Sequence, residues 1–358
     1  MRIAINGLAI TRQMTGIGRV TLQSVRALLA LDRENEYLLL LPFDAPDDLD
    51  LAADNLETFQ SEASVSRPLK SIWFEEMEMP RKLKGARIDL YYTPSYLLPA
   101  ARCAEAEVVC VHDLAWRFHP RSKSLQFRAW MNARLPAALK RASRIACVSH
   151  ATATDLIAEY GTELASRVRV VHNGVDLSVF RPPESPATEP EHYIAVVGNQ
   201  DPRKNIATLL EAFPAFRARM RPCRLVMAGP GRPPRTSPPA VDFVGYLSDE
   251  ELVALYRGAL LVVQPSLYEG FGLPVLEAMA CGAPVACADI PVFREVAGNC
   301  ARYFDPRDAD AIAGVMTDLA GDETTRRELA ERGAARARDF SWKRSAERLL
   351  AVFREAVA

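Results

Sequence analysis

Residues 259–289 read ALLVVQPSLYEGFGLPVLEAMACGAPVACAD, and this stretch determines the fold class. An apolar run of strand length comes first, a glycine-containing turn follows, and a helix is expected from about residue 275. A second apolar run begins at residue 283. Two continuously apolar strands joined by a helix form a parallel crossover unit, because a parallel sheet is covered on both faces.

The same alternation of apolar runs and helical segments extends over the rest of the chain. Downstream, the further runs are HYIAVVGN (192–199), CRLVMAGP (223–230) and DFVGYL (242–247). Upstream, they are RIAIN (2–6), EYLLLLP (36–42), AEVVCVHD (106–113), RIACVSH (144–150) and RVRVVHN (167–173). The sequence therefore predicts an α/β protein with two doubly wound, Rossmann-like domains that face each other across a cleft.

A proline-rich segment separates the two sets of strands. Residues 181–192, RPPESPATEPEH, contain four prolines and no apolar periodicity, which is typical of an exposed connector. We expect an N-terminal domain over 1–180, this linker, and a C-terminal domain over 193–341. The last residues, 342–358, have the pattern of an amphipathic helix, which is expected to pack back onto the N-terminal domain.

Composition excludes several classes of partner. The 358 residues include 44 Lys and Arg against 45 Asp and Glu, so no bulk charge attracts the protein to nucleic acid. Seven scattered cysteines without a CxxC pair indicate neither a disulfide scaffold nor a zinc site. No charge-free apolar run approaches the roughly 20 residues that cross a bilayer. We expect a cytoplasmic protein that needs no metal and no cofactor.

The turn after residue 265 has the features of a ligand site. Gly270 and Gly272 allow close approach of a ligand to the backbone, and Pro274 suits the first turn of a helix. Glu269 precedes this turn and Glu277 lies inside the helix, so both carboxylates are expected to face its mouth, where they could bind sugar hydroxyls. Acidic residues near a helix start also stabilise the helix dipole, and this purely structural use stays open.

Two adjacent cations follow the strand that ends at Gly198. Arg203 and Lys204 precede a helix that Asn205 is able to cap, so positive charge and helix N–H groups meet at one point. Such an arrangement suits a diphosphate. The alternative is a pair of solvated charges in a turn.

The N-terminal half offers three weaker features. In TGIGRV (15–20), Gly16 and Gly18 open a helix, but Thr21 stands where a dinucleotide fingerprint needs its third glycine, which disfavours NAD. His112 and Asp113 end an apolar strand, at the edge of the sheet where ligands bind. The remaining histidines are interpreted as structural or exposed; they are His119, His150, His172 and His192.

Residues 114–154 contain no acidic residue. Eight bases lie there, interleaved with Phe127, Trp130 and Met131; they are Arg117, Arg121, Lys123, Arg128, Arg134, Lys140, Arg141 and Arg144. A basic, aromatic helical face is able to rest on anionic lipid, so this stretch predicts a peripheral membrane contact at the inner face of the cell membrane. A solvated helix face is the alternative.

The blocks described above resemble one family. Five blocks, taken in their order along the chain, are similar to blocks of the retaining glycosyltransferases of family four, which have the GT-B fold. They are CVSHATATDL (147–156), VVHNGVD (170–176), VVGNQDPRKNIATLLEAF (196–213), FVGYLSDEELVALYRGA (243–259) and YEGFGLPVLEAMACGAPV (268–285). HDLAWRFHP (112–120) resembles a bacterial mannosyltransferase subgroup. The resemblance covers most of the chain.

The resemblance implies a role for each candidate residue. Glu277 would bind the donor ribose, while Glu269 and the backbone of Gly270, Phe271, Gly272 and Leu273 would face the donor sugar. Arg203 and Lys204 would neutralise the diphosphate, and Tyr246 lies near the expected base pocket, although ordinary packing is equally open. The loop of Gly16 and Gly18 would border the donor phosphates, and His112, beside Asp113, would contact the donor sugar or the reacting centre.

By this resemblance the protein moves a sugar, most simply mannose from GDP-mannose, to an acceptor hydroxyl with retained configuration. The acceptor would be a glycan or a lipid-linked glycan in polysaccharide, lipopolysaccharide or glycolipid biosynthesis. Arg203, Lys204 and helix N–H groups would stabilise the leaving diphosphate in place of a metal, and no nucleophile is identified. A UDP-sugar donor, a nucleotide-sugar epimerase or phosphorylase, and a non-catalytic nucleotide-binding scaffold stay open as alternatives. Two DxD sequences, at 48–50 and 308–310, are discounted because neither ends an apolar strand.

Overall fold

The computed structural model describes residues 1–12, 14, 16–61, 72–184, 191–220, 222–231 and 237–358 of the chain. It divides into two compact units. The N-terminal unit consists of 1–114, 125–174 and 342–358, and the C-terminal unit of 115–124 and 175–341. Each is an α/β domain with one fully parallel sheet, which confirms the predicted fold class.

The strands are β1 (Arg2–Asn6), β2 (Glu36–Leu41), β3 (Leu56–Gln60), β4 (Leu90–Thr93), β5 (Ala106–Val111), β6 (Arg144–Cys147), β7 (Val168–Val170), β8 (Glu191–Val197), β9 (Arg224–Ala228), β10 (Val241–Gly245), β11 (Ala259–Gln264), β12 (Val285–Ala288) and β13 (Arg302–Phe304). The helices are α1 (Gly16–Leu31), α2 (Met79–Gly85), α3 (Ala115–Phe118), α4 (Leu125–Arg141), α5 (His150–Tyr160), α6 (Ile206–Arg219), α7 (Asp249–Gly258), α8 (Leu273–Ala280), α9 (Pro291–Ala297), α10 (Ala309–Gly321), α11 (Glu323–Ala337) and α12 (Trp342–Val357). A π-helical turn, Phe74–Glu78, leads into α2, and short 3-10 turns lie at Pro120–Ser122, Thr162–Leu164 and Pro202–Lys204.

Strand order places the ligand-binding edge of each sheet. The N-terminal sheet has the order β3-β2-β1-β4-β5-β6-β7, and the C-terminal sheet the order β10-β9-β8-β11-β12-β13. Connections reverse direction between β1 and β4 and between β8 and β11. A crevice opens at the carboxyl ends of the strands at such a reversal, because the helices on either side lead away to opposite faces. The loops after β8 and β11 therefore emerge next to each other.

The central strands are apolar along their whole length because helices cover both faces. All six residues of β5 and all six of β11 are buried. At the start of α8, Gly272 adopts a left-handed conformation with φ of +94°, and a Cβ at this position would lie 2.7 Å from the Phe293 ring. Glycine is thus required where the chain turns from β11 into α8.

The final helix, α12, packs against α1 in the N-terminal unit. Its buried side includes Ala346, Leu349, Leu350 and Phe353, and the Phe353 ring lies 5.2 Å from the ring of Tyr92. The apolar stripe visible in the sequence is the side of the helix that is buried in this unit.

The units divide after Gly174, ahead of the expected linker. Val175 donates its N–H to the Phe340 carbonyl at 2.8 Å and pairs with Ser341, so 175–180 are tied to the C-terminal unit. Residues 185–190 of the linker lie outside the described residues, and Glu191 already begins β8. Residues 115–124 group with the C-terminal unit although the chain on both sides belongs to the N-terminal one.

Within the described ranges, no helix combines the length and apolar character needed to span a bilayer.

Candidate functional site

The turn after β8 holds two cations in fixed positions. Asp201 begins the 3-10 turn and its Oδ1 accepts the N–H of Arg203 at 3.1 Å. Lys204 is only 8% exposed, which is unusual for lysine and requires a buried partner. The interpretation of these two residues as solvated charges is therefore wrong for Lys204.

Asn205 anchors this turn to two other strand ends. Its backbone is left-handed with φ of +57°, and its Nδ2 donates to the carbonyls of Pro265, after β11, and Pro306, after β13, at 3.1 and 2.6 Å. Thr208 donates to its Oδ1 at 2.7 Å. The side chain does not cap α6, contrary to expectation, because its Oδ1 accepts the Thr208 hydroxyl and its Nδ2 donates to the two carbonyls.

We expect substitutions of Asn205 to destabilise the protein in a defined order. Asn205→Gly keeps the left-handed backbone and loses only the hydrogen bonds, about 1–3 kcal/mol. Asn205→Ala loses the same hydrogen bonds and, unlike glycine, keeps a Cβ in that conformation, at a further cost of about 1–2 kcal/mol relative to the glycine variant. Chemical denaturation should rank wild type above Gly and Gly above Ala. An alanine variant as stable as the glycine variant would contradict this explanation.

Glu269, in the loop after β11, receives both cations. Lys204 Nζ donates to its Oε1 at 2.5 Å, and Arg203 Nη1 donates to its Oε2 at 2.7 Å. The carboxylate is buried, and Ser266 Oγ donates to Oε1 at 2.8 Å. Sequence reasoning placed all three charged residues in one site, and the structure brings them into direct contact.

The Glu269 carboxyl group is held in its ionised form. Burial raises its pKa, but the charges of Lys204 and Arg203 and the hydrogen bonds from Lys204 and Ser266 outweigh burial and lower the pKa to about 2. At neutral pH, Arg203 and Lys204 therefore meet the Glu269 carboxylate at the reversal point of the C-terminal sheet, and Asp201 Oδ2 lies 3.6 Å from Arg203 Nε. Two carboxylates balance the two cations, whose N–H groups are donors of the kind that bind an anionic ligand.

Ser266 and Gln264 were missed by the sequence interpretation. Gln264 Nε2 donates to Ser266 Oγ at 3.1 Å, and Ser266 Oγ in turn donates to Glu269 Oε1. Both residues are fully buried at the end of β11. A polar residue at the end of an otherwise apolar strand was the available signal, because such a residue needs a partner at that edge.

The glycine turn leads from Glu269 into α8. The Phe271 side chain is buried against the ring of Phe340, with centroids 5.8 Å apart, so only its backbone is available to a ligand. Leu273 is half-buried at the first position of α8. Glu277 lies one turn further, also half-buried, and its Oε2 accepts the Tyr256 hydroxyl at 3.1 Å.

Tyr246 lies elsewhere in the C-terminal unit. It follows β10 and its side chain is 64% exposed. No hydrogen bond or ring contact joins that side chain to another residue among those described. Its expected place near a base pocket stays a prediction.

His112 ends β5 in the N-terminal unit, beside the reversal between β1 and β4. Its Nε2 lies 2.6 Å from the Pro94 carbonyl, and its ring packs edge-on against Tyr96 with centroids 5.7 Å apart. Burial disfavours the charged imidazolium, but Cys110, the Pro94 carbonyl and Asp113 together raise the pKa of His112 to about 9. Asp113 itself is half-buried.

Gly16 and Gly18 open α1 in the same unit. A Cβ on Gly18 would lie 2.3 Å from the Ala9 carbonyl oxygen, so this glycine allows α1 to start against the loop after β1. Gly16 has open space around it, and Thr15 lies outside the described residues. The structure gives Gly18 a packing reason that does not depend on a ligand.

Residues outside these groups have local roles. Asp308 caps α10 by accepting the N–H groups of Asp310 and Ala311, and Asp48 accepts the N–H of Asp50. Both DxD sequences therefore have local hydrogen-bonding roles in turns. All seven cysteines are free and buried.

The eight bases of 114–154 are divided between the two units. The first three belong to the C-terminal unit and the other five to the N-terminal unit. Arg134, Arg141 and Arg144 pair with Glu76, Glu107 and Glu355, which are distant in sequence. An acid-free sequence is thus partly neutralised by acids from other elements.

Known proteins with related sequences support one family. Residues 14–179 match the model described as Glycosyltransferase Family 4, and 180–336 match Glycosyl transferases group 1. O-antigen chain mannosyltransferase B of Escherichia coli is 30% identical, with 96% of this chain and 97% of that protein covered. The MMP α-(1→4)-mannosyltransferase of Mycolicibacterium hassiacum is 33% identical over 59% of this chain and 54% of its own.

A solved structure agrees at the level of the fold. Sucrose-phosphate synthase from Thermosynechococcus elongatus has a TM-score of 0.77 at 22% identity, with 99% of this chain and 98% of that chain covered. Both halves of the chain match family models, and one relative is 30% identical over nearly the full length of both proteins. Together with the two parallel-sheet domains, these findings show that the chain belongs to the family-four glycosyltransferases and has the GT-B fold.

Proposed function

We propose that this glycosyltransferase transfers mannose from GDP-mannose to a hydroxyl of a growing polysaccharide or lipid-linked glycan, as in O-antigen synthesis. The observation that carries the proposal is the buried cluster of Arg203, Lys204 and Glu269 at the reversal between β8 and β11. The two relatives described above, an O-antigen chain mannosyltransferase and an α-(1→4)-mannosyltransferase, support the choice of sugar.

In this proposal the donor diphosphate binds the two cations. Further negative charge develops on its terminal phosphate oxygen as the bond between this oxygen and the anomeric carbon of the sugar breaks. Preorganised positive charge stabilises the leaving group more than it stabilises the bound donor, which lowers the barrier. Glu269 holds Lys204 and Arg203 in place before the donor arrives, so little reorganisation is needed. No metal is assigned a role, and retention of configuration follows a front-face route in which the leaving phosphate oxygen accepts the acceptor proton.

Glu277 is proposed to bind the donor ribose. We expect Glu277→Ala to weaken donor binding about 10- to 100-fold, because a hydrogen bond to a charged group contributes about 1.5–3 kcal/mol. Tyr256→Phe is the matched control, since it removes the hydroxyl that Glu277 accepts and leaves the carboxylate in place. Calorimetric titration with nucleotide measures both. Equal affinity of Glu277→Ala and wild type would remove Glu277 from the site.

A donor screen tests the proposed activity. Thermal shift with GDP-mannose, UDP-glucose and UDP-N-acetylglucosamine should show selective stabilisation by GDP-mannose, because a ligand that binds the folded state raises the melting temperature. Stabilisation only by a UDP-sugar would show that the donor is that UDP-sugar and not GDP-mannose. Product analysis then separates classes: free nucleoside diphosphate indicates transfer, an epimer or a sugar phosphate indicates the alternative enzymes, and binding without turnover in the presence of acceptor indicates a scaffold.

A membrane contact is proposed for α4 alone. Leu125 and Trp130 are 74% and 40% exposed there, and Phe127 lies beside Trp130. Exposed apolar side chains on a helix that also carries Arg128 and the exposed Lys140 suit an anionic bilayer surface. Cosedimentation with vesicles of phosphatidylglycerol and phosphatidylcholine should exceed that with phosphatidylcholine alone and should fall in Trp130→Ser. Equal, negligible binding to both would exclude the contact.

A further inference from the structure

We propose that His119 is a further residue of the diphosphate site and that it accepts a proton when the nucleoside diphosphate binds. The proposal rests on the proposed function, because it takes Arg203 and Lys204 as the diphosphate-binding cations. It concerns a histidine that the sequence interpretation left as structural or exposed.

The segment around His119 lies against the cation turn. Residues 115–124 belong to the C-terminal unit, and the 3-10 turn Pro120–Ser122 contacts the 3-10 turn Pro202–Lys204. His119 immediately precedes the first of these turns, and its carbonyl accepts both the N–H and the hydroxyl of Ser122. These backbone contacts place His119 at the start of a turn that packs against the turn of Arg203 and Lys204.

The His119 ring packs on Tyr268, the residue before Glu269. The two ring centroids lie 5.6 Å apart, and Phe118 approaches the same Tyr268 ring at 5.6 Å. Tyr268 is also linked to the cations, since Arg203 Nη1 donates to its carbonyl at 3.1 Å. The ring contact thus places the imidazole on Tyr268, and the charge of Arg203, which donates to the Tyr268 carbonyl, acts on the imidazole.

The imidazole has unused hydrogen-bonding capacity. Neither of its ring nitrogens has a hydrogen-bond partner among the residues for which the structure gives positions, although the side chain is half-buried. A half-buried imidazole bonds water in the free protein, and a ligand that enters this site is able to replace that water.

The charges around His119 disfavour its protonation in the free protein. Burial and Arg203 lower the pKa of His119, Asp201 opposes them, and Arg307 makes a smaller contribution that lowers it further. Asp201 and Arg203 come from the turn after β8, and Arg307 comes from the loop after β13. A bound diphosphate adds negative charge at Arg203 and reverses this balance, which favours the imidazolium and a charge-assisted hydrogen bond to phosphate.

Calorimetric titration with GDP tests the proposal, or with UDP if the donor screen selects uridine. We expect His119→Phe, which keeps the stacked ring and loses both nitrogens, to weaken GDP binding about tenfold or more at pH 6. At pH 8 the difference from wild type should shrink. Titrations in buffers of different ionisation enthalpy should show that wild type takes up more protons than His119→Phe on binding GDP. The comparison of the two proteins removes the protons exchanged by the nucleotide itself.

Two further variants separate charge from structure. His119→Gln keeps a hydrogen-bond donor but cannot be protonated. Its advantage over His119→Phe in GDP affinity should therefore be the same at pH 6 and pH 8, whereas the advantage of wild type should be larger at pH 6. Phe118→Leu removes the neighbouring ring contact on Tyr268 and should leave GDP affinity within about twofold of wild type. Circular dichroism and the melting temperature establish that each variant is folded.

The outcomes distinguish this inference from the proposed function. If Lys204→Ala loses GDP affinity while His119→Phe and His119→Gln match wild type at both pH values, the role of His119 is overturned and the diphosphate site stands. If Lys204→Ala binds GDP as wild type does, the placement of the diphosphate is overturned, and the inference falls with it.

Discussion

Replacement of Lys204 by alanine should reduce kcat by about 10²- to 10³-fold while the protein stays folded. This is the effect of removing one preorganised group that stabilises charge in a transition state, about 3–4 kcal/mol. Lys204 is buried and its ammonium lies 2.5 Å from Glu269, so it is already positioned before donor binding. Steady-state kinetics with the donor selected by the thermal-shift screen measures the change.

A lysine on the surface provides the control for this prediction. Lys343 is exposed in α12, and Lys343→Ala removes the same charge and side chain without touching the cluster. Its kcat should stay within about twofold of wild type, because exposed single charges contribute little. A folded Lys204→Ala protein with near-normal kcat would remove Lys204 from the catalytic machinery.

Loss of the Glu269 carboxylate should have the largest effect on stability. Glu269→Ala leaves Lys204 and Arg203 buried without their common counter-ion, and breaking a buried ion pair in this way costs about 3–5 kcal/mol. Chemical denaturation should show this loss in the transition of the C-terminal unit. Glu323→Gln breaks an exposed pair with Arg327 and should cost about 1 kcal/mol or less. Equal losses in the two variants would show that the buried cluster is not a stabilising one.

The same carboxylate should make stability depend on acid. Its folded-state pKa of about 2 lies below the ordinary value of 4.5, so its ionised form stabilises the folded state above pH 4.5. This contribution should be lost progressively as the pH falls from about 4.5 toward 2. Glu269→Gln cannot titrate, so its stability should fall less steeply over this window than that of wild type. Parallel pH profiles of the two proteins would contradict the assigned pKa.

Much of the candidate site was predictable because each part follows a strand. Arg203 and Lys204 follow β8, and Glu269 follows β11. Apolar runs mark the strands, and the carboxyl ends of parallel strands share one edge of the sheet. Periodicity alone therefore predicted that polar residues after these runs lie at the same edge.

The hydrogen-bond partners were not predictable in the same way. Asn205 looked like a helix cap, but the carbonyls after β11 and β13 are better partners once the strand order is fixed. His119 looked like an isolated histidine, since nothing local shows that 115–124 packs with the C-terminal unit. Side chains choose partners by distance in space, and sequence spacing reports that distance only within one helix or strand.

The sequence by itself determined the α/β class, the parallel sheets and the turn that contains Glu269, because hydrophobic period and glycine placement act over a few residues. The family followed from the resemblance of whole sequence blocks. Only the tertiary structure decided that Glu269 pairs with two cations about 65 positions away in the chain. It also decided that Arg134, Arg141 and Arg144 are paired with acids distant in sequence. Net charge and composition sum over the chain, whereas electrostatic energy depends on separation and burial, which strand order and helix packing fix.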